Sequence, residues 1–311
     1  MRNGTKGIYD VAHLVWNHFC CVATVFSPQW NTQLRFLRRT GHFANLKEPK
    51  TFSEKLSWLK LYRNATDPLV KQCADKYAVR EYVKSCGLAR ILNPLFAVYR
   101  SEKEIVWKDL PTSFVLKWNF GCGFNILCPD KYGCNEREAK KKLHKFRKTP
   151  FWLEHAEYQY KVDKKYLLCE RYMASPLGED LLDYKVYCFH GRALAILVIR
   201  RAPNKEKAAI FMDSNWNVLS DVPDRYSESL VPEKPVCLQE ILEAAERLAA
   251  PFPFVRVDFY QYQGKAVFGE MTFTPAAGIC PSETKINGKS MGEYIDLEMV
   301  SNENSKPRKG Q

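Results

Sequence analysis

The stretch FVRVDFYQYQGKAVFGEMTFTP, residues 254–275, limits the possible folds more than any other part of the chain. Two runs rich in β-branched and aromatic residues flank a short polar break, the pattern of a β-hairpin with one buried face. Each run also carries a carboxylate, Asp258 and Glu270. Side chains alternate faces along a strand, so register decides which of them share a surface. A three-residue loop, Tyr262-Gln263-Gly264, pairs Gln261 with Lys265, Asp258 with Phe268 and Arg256 with Glu270. Asp258 and Glu270 then become diagonal neighbours on one face with Arg256 and Thr272. Val255, Val257, Phe259, Val267, Met271 and Phe273 form the opposite, apolar face. A two-residue Gln-Gly loop would separate the two acids, and the sorting of polar from apolar argues against it. Two anions on a half-buried sheet repel and are costly to desolvate unless a cation lies between them. Magnesium suits that role, because it takes one or two protein carboxylates together with substrate phosphates. The plainer alternative pairs Asp258 with a basic residue such as Arg256 and leaves Glu270 at a sheet edge.

A chain of 311 residues can hold a large core and two or three subdomains. Its 46% hydrophobic and 26% charged residues describe a globular protein and exclude a disordered one. The net charge of +12 points to anionic partners: nucleotides, phosphosugars, acidic glycans or an anionic membrane surface. Nucleic acid is not expected. The basic run EREAKKKLHKFRK, 136–148, reads as a solvated helix face and no recognised module accompanies it. Eleven cysteines include no CxxC pair, which favours buried free thiols in a reducing cytosol over a metal centre or disulfides. The run VAHLVWNHFCCVATVF, 11–26, is interrupted by His13, Asn17 and His18, is too short to span a bilayer and has no small-residue cleavage pattern. A packed or interfacial helix is the expectation.

Along the chain, residues 1–50 read as helical with basic loops. Thr51 and Glu54 have capping-box spacing before a helix in TFSEKLSWLKLY. A single further helix is expected over CADKYAVREYVKSCG, ending near Gly87. NPLFAVY, SFVLKW, ILC and KKYLLCERYM read as strands, and DYKVYCFHGRALAILVIRRA as a hairpin turning at His190-Gly191. A polar, proline-containing stretch from 203 to 236 precedes the amphipathic helix LQEILEAAERLAA, and the tail 301–311 is expected to be unstructured. Helices and mainly antiparallel strands in separate blocks define an α+β fold.

VLKWNFGCGFNI, 115–126, ends a strand at Lys117 just before Gly121 and Gly123. Such a loop lets backbone amides and a lysine approach phosphate, but it matches neither a P-loop nor a dinucleotide fingerprint. The order of blocks is more specific: Asp75-Lys76, then Lys117 with the glycine loop, Glu170-Arg171-Tyr172-Met173, Asp183 with Lys185, and last the RVDF hairpin with GEMTFTP. This succession resembles the ATP-grasp superfamily. KTFSEKLSWLKLY, DKYAVREYV, FPFVRVDFY and FGEMTFTP look more closely like its TupA-like family of cell-surface polysaccharide biosynthesis, over about residues 43–280.

The resemblance implies an ATP-grasp fold in which two α+β subdomains clamp ATP behind a helical N-terminal region. It divides the chain into 1–50, a helical region; 51–110, a preceding segment; 111–178, the small subdomain with the glycine loop; 179–300, the large subdomain with the metal site; and the tail. Lys76 and Lys117, with Gly121 and Gly123, match the phosphate-binding positions. Glu170, Tyr172 and Met173 match the adenine edge, Asp183 the ribose position, and Asp258 and Glu270 the Mg2+ carboxylates, with Thr272 completing the shell. The family more often has His and Ser where this chain has Phe120 and Cys122. Lys185, Arg200, Arg201 and Arg256 are the candidates for spreading phosphate charge and holding an acceptor carboxylate. The implied activity is ATP- and Mg2+-dependent carboxylate–amine ligation on an anionic sugar or amino acid. The implied setting is the cytoplasm, peripheral to the inner membrane surface, among polysaccharide-assembly proteins. Two other readings are a glycosyltransferase, for which no DxD triplet is present, and a non-catalytic nucleotide-binding partner.

Overall fold

The computed structural model describes residues 15–174, 181–201, 207–223, 231–280 and 283–298. The expected unstructured tail lies outside them. Two antiparallel sheets organise the chain. The smaller has the order β1-β4-β2-β3, from β1 (Leu95–Tyr99), β2 (Phe114–Trp118), β3 (Asn125–Cys128) and β4 (Leu167–Arg171). The larger has the order β7-β6-β5-β8-β9, from β5 (Asp183–Phe189), β6 (Arg192–Arg201), β7 (Lys207–Asp213), β8 (Phe254–Tyr262) and β9 (Lys265–Thr272). β1 draws the small sheet back to Leu95, ahead of the boundary expected at 111. β7 lies inside the stretch read as having no element, where its alternating Ala209 and Phe211 against Ile210 and Met212 escaped notice among polar neighbours.

Helices precede and intersperse the sheets: α1 (Pro28–Thr40), α2 (Phe52–Leu59), α3 (Pro68–Ala74), α4 (Val79–Ser85), α5 (Glu136–Lys148), the short α6 (Phe151–Glu154) and α7 (Leu238–Ala249). α2 begins with the predicted capping box, both Thr51 and Glu54 bonds being made. It buries Phe52, Leu56 and Leu59 on one face of the large sheet, against Tyr187, Leu197 and Phe254. The other face is covered by α7, through Ile241, Ala245 and Leu248, and by Val70 and Val83 of α3 and α4. The segment expected over 51–110 is therefore divided: its part through Leu92 packs in the large sheet's core, and its remainder, with β1, Ile105 and Leu110, belongs to the small sheet. α5 covers the small sheet, burying Leu143 among Phe114, Leu116 and Trp118.

The helix expected across 73–87 is two helices. Asp75 adopts an extended conformation after Ala74, and its Oδ1 accepts from the amides of Tyr77 and Ala78, stopping α3 and starting the next turn. The break also turns the backbone amide of Lys76 to the carbonyl of Asn119, 2.8 Å away, on the small-sheet side.

The hairpin at 254–272 corrects the expected register. Its loop has two residues, Gln263 and Gly264, both left-handed at φ 52° and 74°, so Tyr262 pairs with Lys265. That register alone would separate the acids. A β-bulge at Gly269 shifts it by one residue, between the pairs Phe259–Phe268 and Asp258–Glu270. Phe268 therefore enters the core against Phe259 in place of Val267, and the two acids become direct cross-strand partners. Only glycine fits the bulge closely, because a Cβ there would lie 3.0 Å from the carbonyl oxygen of Asp258.

Candidate active site

Strand pairing assembles the cluster. β5 lies between β6 and β8, with Lys185 opposite Asp258, and β8 pairs Asp258 with Glu270 and Arg256 with Thr272. Asp258 is 2% exposed and has both oxygens occupied. Arg256 grips it with two nitrogens at 2.6 and 2.7 Å, and Lys185 Nζ lies 2.6 Å from Oδ2 and 3.1 Å from Asp183 Oδ2. The plainer expectation, an Asp258–Arg256 pair, is thus part of the arrangement. Arg256 also donates to Thr272 Oγ1 at 3.0 Å, and Thr272 donates to Glu270 Oε1 at 3.3 Å.

Glu270 is the open carboxylate, its side chain 31% exposed. Burial works to raise its pKa. Lys76, Arg256, Lys185 and Lys117 overcome that and hold it down at about 2. Burial likewise opposes the charge on Lys185 and Arg256, and Asp258 outweighs it in both, keeping each above its ordinary pKa.

Lys76 reaches the site from the break between α3 and α4. Its Nζ donates to the Gly121 carbonyl at 2.6 Å and lies 3.4 Å from Glu270 Oε2, joining the glycine loop to the large sheet. Gly121 has φ 74°, and a Cβ on it would come within 3.0 Å of Phe124 and 3.2 Å of Phe151, so the loop is seated tightly there. Gly123, at φ 72°, faces open space. Phe120 is buried among Trp118 and Phe124, so the aromatic at this position serves the small-sheet core, while Cys122 is exposed. All eleven cysteines are free thiols.

On the small sheet, Lys117 Nζ lies 2.8 Å from Glu170 Oε2. Glu170 is also bound by Arg80 at 3.4 Å and Asn93 at 3.3 Å, so its carboxylate anchors Lys117 and the neighbouring helix. Tyr172 and Met173 follow β4, half-buried, where the chain leaves the small sheet. Arg200 is not brought to the cluster. Ile199 pairs with Asp183, so alternation sends the exposed Arg200 off the opposite face. Arg201 ends β6, its side chain outside what the structure describes.

Sequence reasoning missed a buried wall beneath the glycine loop. Thr274 Oγ1 donates to Glu157 and accepts from Gln159 at 2.8 Å, and Lys60 Nζ donates to the carbonyls of His155 at 3.1 Å and Ala277 at 3.4 Å. Burial pushes the Glu157 carboxyl up to about 7, against the pull of Thr274 and Lys60. The second threonine of TFTP was its one visible sign.

Lys76, Lys117, Lys185 and Arg256 thus face Asp183, Asp258, Glu270 and Glu170 where the two sheets meet. Among the described residues no three His, Cys, Asp or Glu side chains are grouped to hold a metal ion. Glu270 presents an open oxygen on the face it shares with Thr272, while both oxygens of Asp258 are taken by Arg256 and Lys185, and the lysines suit phosphate oxygens. Two antiparallel α+β modules meeting across such a charge cluster define the ATP-grasp class. Within it, the chain belongs to the TupA-like ATP-grasp family, whose model matches residues 54–296. It is similar in structure to D-alanine–D-alanine ligase from Bacillus anthracis, at 16% identity and TM-score 0.44, covering 76% of this chain and 71% of that one. The corresponding ligase from Helicobacter pylori gives 14%, 0.40, 73% and 63%. N5-carboxyaminoimidazole ribonucleotide synthetase from Thermus thermophilus gives 12%, 0.37, 66% and 46%. None of the curated proteins is similar to the chain in sequence.

Proposed function

We propose that the chain is an ATP- and Mg2+-dependent carboxylate–amine ligase working through an acyl phosphate. It attaches an amino acid or amine to a uronic-acid sugar of a cell-surface polysaccharide or its precursor. The observation that carries this reading is the cluster of Lys76, Lys185 and Arg256 around Asp258 and Glu270, with Lys117 on Glu170 beside it, in a chain of the ATP-grasp family. Glu270 and Thr272 would hold the magnesium ion, Asp258 would join them where the ion takes the place of Lys185 on its Oδ2, and the ion would supply neutralisation of phosphate charge. Lys76, Lys117 and Lys185 bind the phosphate oxygens, and Arg256 fixes Asp258 and so positions the metal face. An acceptor carboxylate oxygen bonds to the γ-phosphorus as the bond to the β–γ bridging oxygen breaks, and ADP leaves. The amine nitrogen then attacks the acyl carbon, inorganic phosphate departs, and the amine proton passes to solvent. The glycine loop over Glu270 excludes water from the acyl phosphate.

The test supplies protein, Mg2+, ATP, a panel of uronic-acid acceptors and amino acids. ADP and inorganic phosphate should appear in equal amounts only when acceptor and amine are both present, and hydroxylamine should replace the amine and leave a hydroxamate. Sugar transfer from a nucleotide sugar without ATP would establish the glycosyltransferase reading instead. Tight Mg-ATP binding with no turnover on any acceptor would favour a nucleotide-binding partner.

A further inference from the structure

Residues 15–26 form a helix with reversed polarity. Val15, His18, Phe19, Val22, Val25 and Phe26 recur at steps of three and four, so they share one face, and all six are exposed, Phe26 to 85% and Val25 to 67%. The inward face is polar: Thr24 Oγ1 donates to the Leu153 carbonyl at 2.7 Å, Asn31 Nδ2 donates to the Cys20 carbonyl at 3.1 Å, and Asn17 Oδ1 accepts from Arg35 at 3.3 Å. A surface helix that only served its own core would do the opposite. Bonded inward through polar groups and bare outward through phenylalanines and valines, this one is built to be covered from outside.

We propose that this helix lies in the surface of an anionic lipid bilayer and seats the protein there. Charge complementarity favours lipid. Arg38 stacks over Trp16 on the flank of the helix, 4.4 Å from the ring, and Arg38 and Arg39 are both exposed. The chain carries a net +12. An apolar stripe with the exposed Arg38 guanidinium on its flank matches the boundary between acyl chains and lipid phosphates. Size points the same way. Twelve residues give a face about 18 Å long, which offers far less than the roughly 1,000 Å² a stable protein interface buries. Among the described residues no helix is long and apolar enough to cross a membrane, so the attachment is one of lying on the surface.

The experiment pellets the full chain with vesicles of phosphatidylcholine alone and of phosphatidylcholine mixed equally with phosphatidylglycerol. The protein should pellet with the anionic vesicles, less at high salt, and weakly or not at all with neutral ones. The double variant F19S/F26S should lose the association and keep the parent's circular dichroism spectrum and melting temperature, since both side chains face solvent. Arg38→Gln should weaken it about fivefold. Absence of pelleting with anionic vesicles, or undiminished binding by F19S/F26S, overturns the proposal. So does sedimentation of the lipid-free parent as a dimer that F19S/F26S converts to monomer, which would assign the face to a second copy of the chain.

Discussion

Asp258 and Glu270 are cross-strand partners with unequal surroundings. Asp258 is sealed between Arg256 and Lys185, while Glu270 keeps an open side next to Lys76. Neutralising Asp258 removes the nearest counter-charge of two buried cations and leaves Lys185 with Asp183 and Arg256 with the more distant Glu270, a loss of about 3 kcal/mol. Neutralising Glu270 is milder, because solvent shares its charge. Asp258→Asn should therefore melt well below the parent and lose the melting shift given by Mg-ATP. Glu270→Gln should melt close to the parent and lose only the magnesium-dependent part of that shift. An Asp258→Asn protein as stable as the parent would show that Arg256 and Lys185 find other partners. The identities of these two acids were readable from the hairpin, and so was their common face. Their direct pairing was not, because it rests on a bulge that no residue but Gly269 announces.

Strands and helices were legible where a single period ran uninterrupted, as in β2, α2 and α7. They were obscured where backbone geometry broke the period. The α3–α4 break depends on Asp75 bonding to amides two and three residues on, which composition does not distinguish from an ordinary helical aspartate. The Glu157–Thr274 contact joins residues far apart in the chain, and nothing near Glu157 in the sequence points to Thr274. Gly269 supplies a test at this scale. A valine there must displace the Asp258 carbonyl or Tyr260, so Gly269→Val should destabilise by about 1–3 kcal/mol in urea and weaken the Mg-ATP response. Gly264→Ala strains only the hairpin tip, at about 1 kcal/mol, and should leave the Mg-ATP response intact.

Across the whole molecule, three buried or half-buried glutamates fasten elements to each other. Glu54 accepts from the amides of Asn45, Lys50 and Thr51, Glu102 pairs with His144 and Arg147 of α5, and Glu240 of α7 binds Arg90 and the amide of Ala266. Burial opposes ionisation in each, and these partners outweigh it, so all three have lowered pKa values. A carboxyl with a depressed folded pKa stabilises above its unfolded value, about 4.3 for glutamate, and that stability goes as pH falls through the folded value. As pH falls through that range the contribution of these three groups to the melting temperature should be lost, with Glu102→Gln showing a shallower fall than the parent. The contact of Lys76 with both Gly121 and Glu270 has its own consequence at this scale. An ammonium group has three N–H bonds, and these two contacts occupy two of them, one on each module. On the proposed function, a phosphate oxygen taking the third would be referenced to both modules at once. Capture of the nucleotide and fixing of the two halves relative to each other would then be a single thermodynamic event.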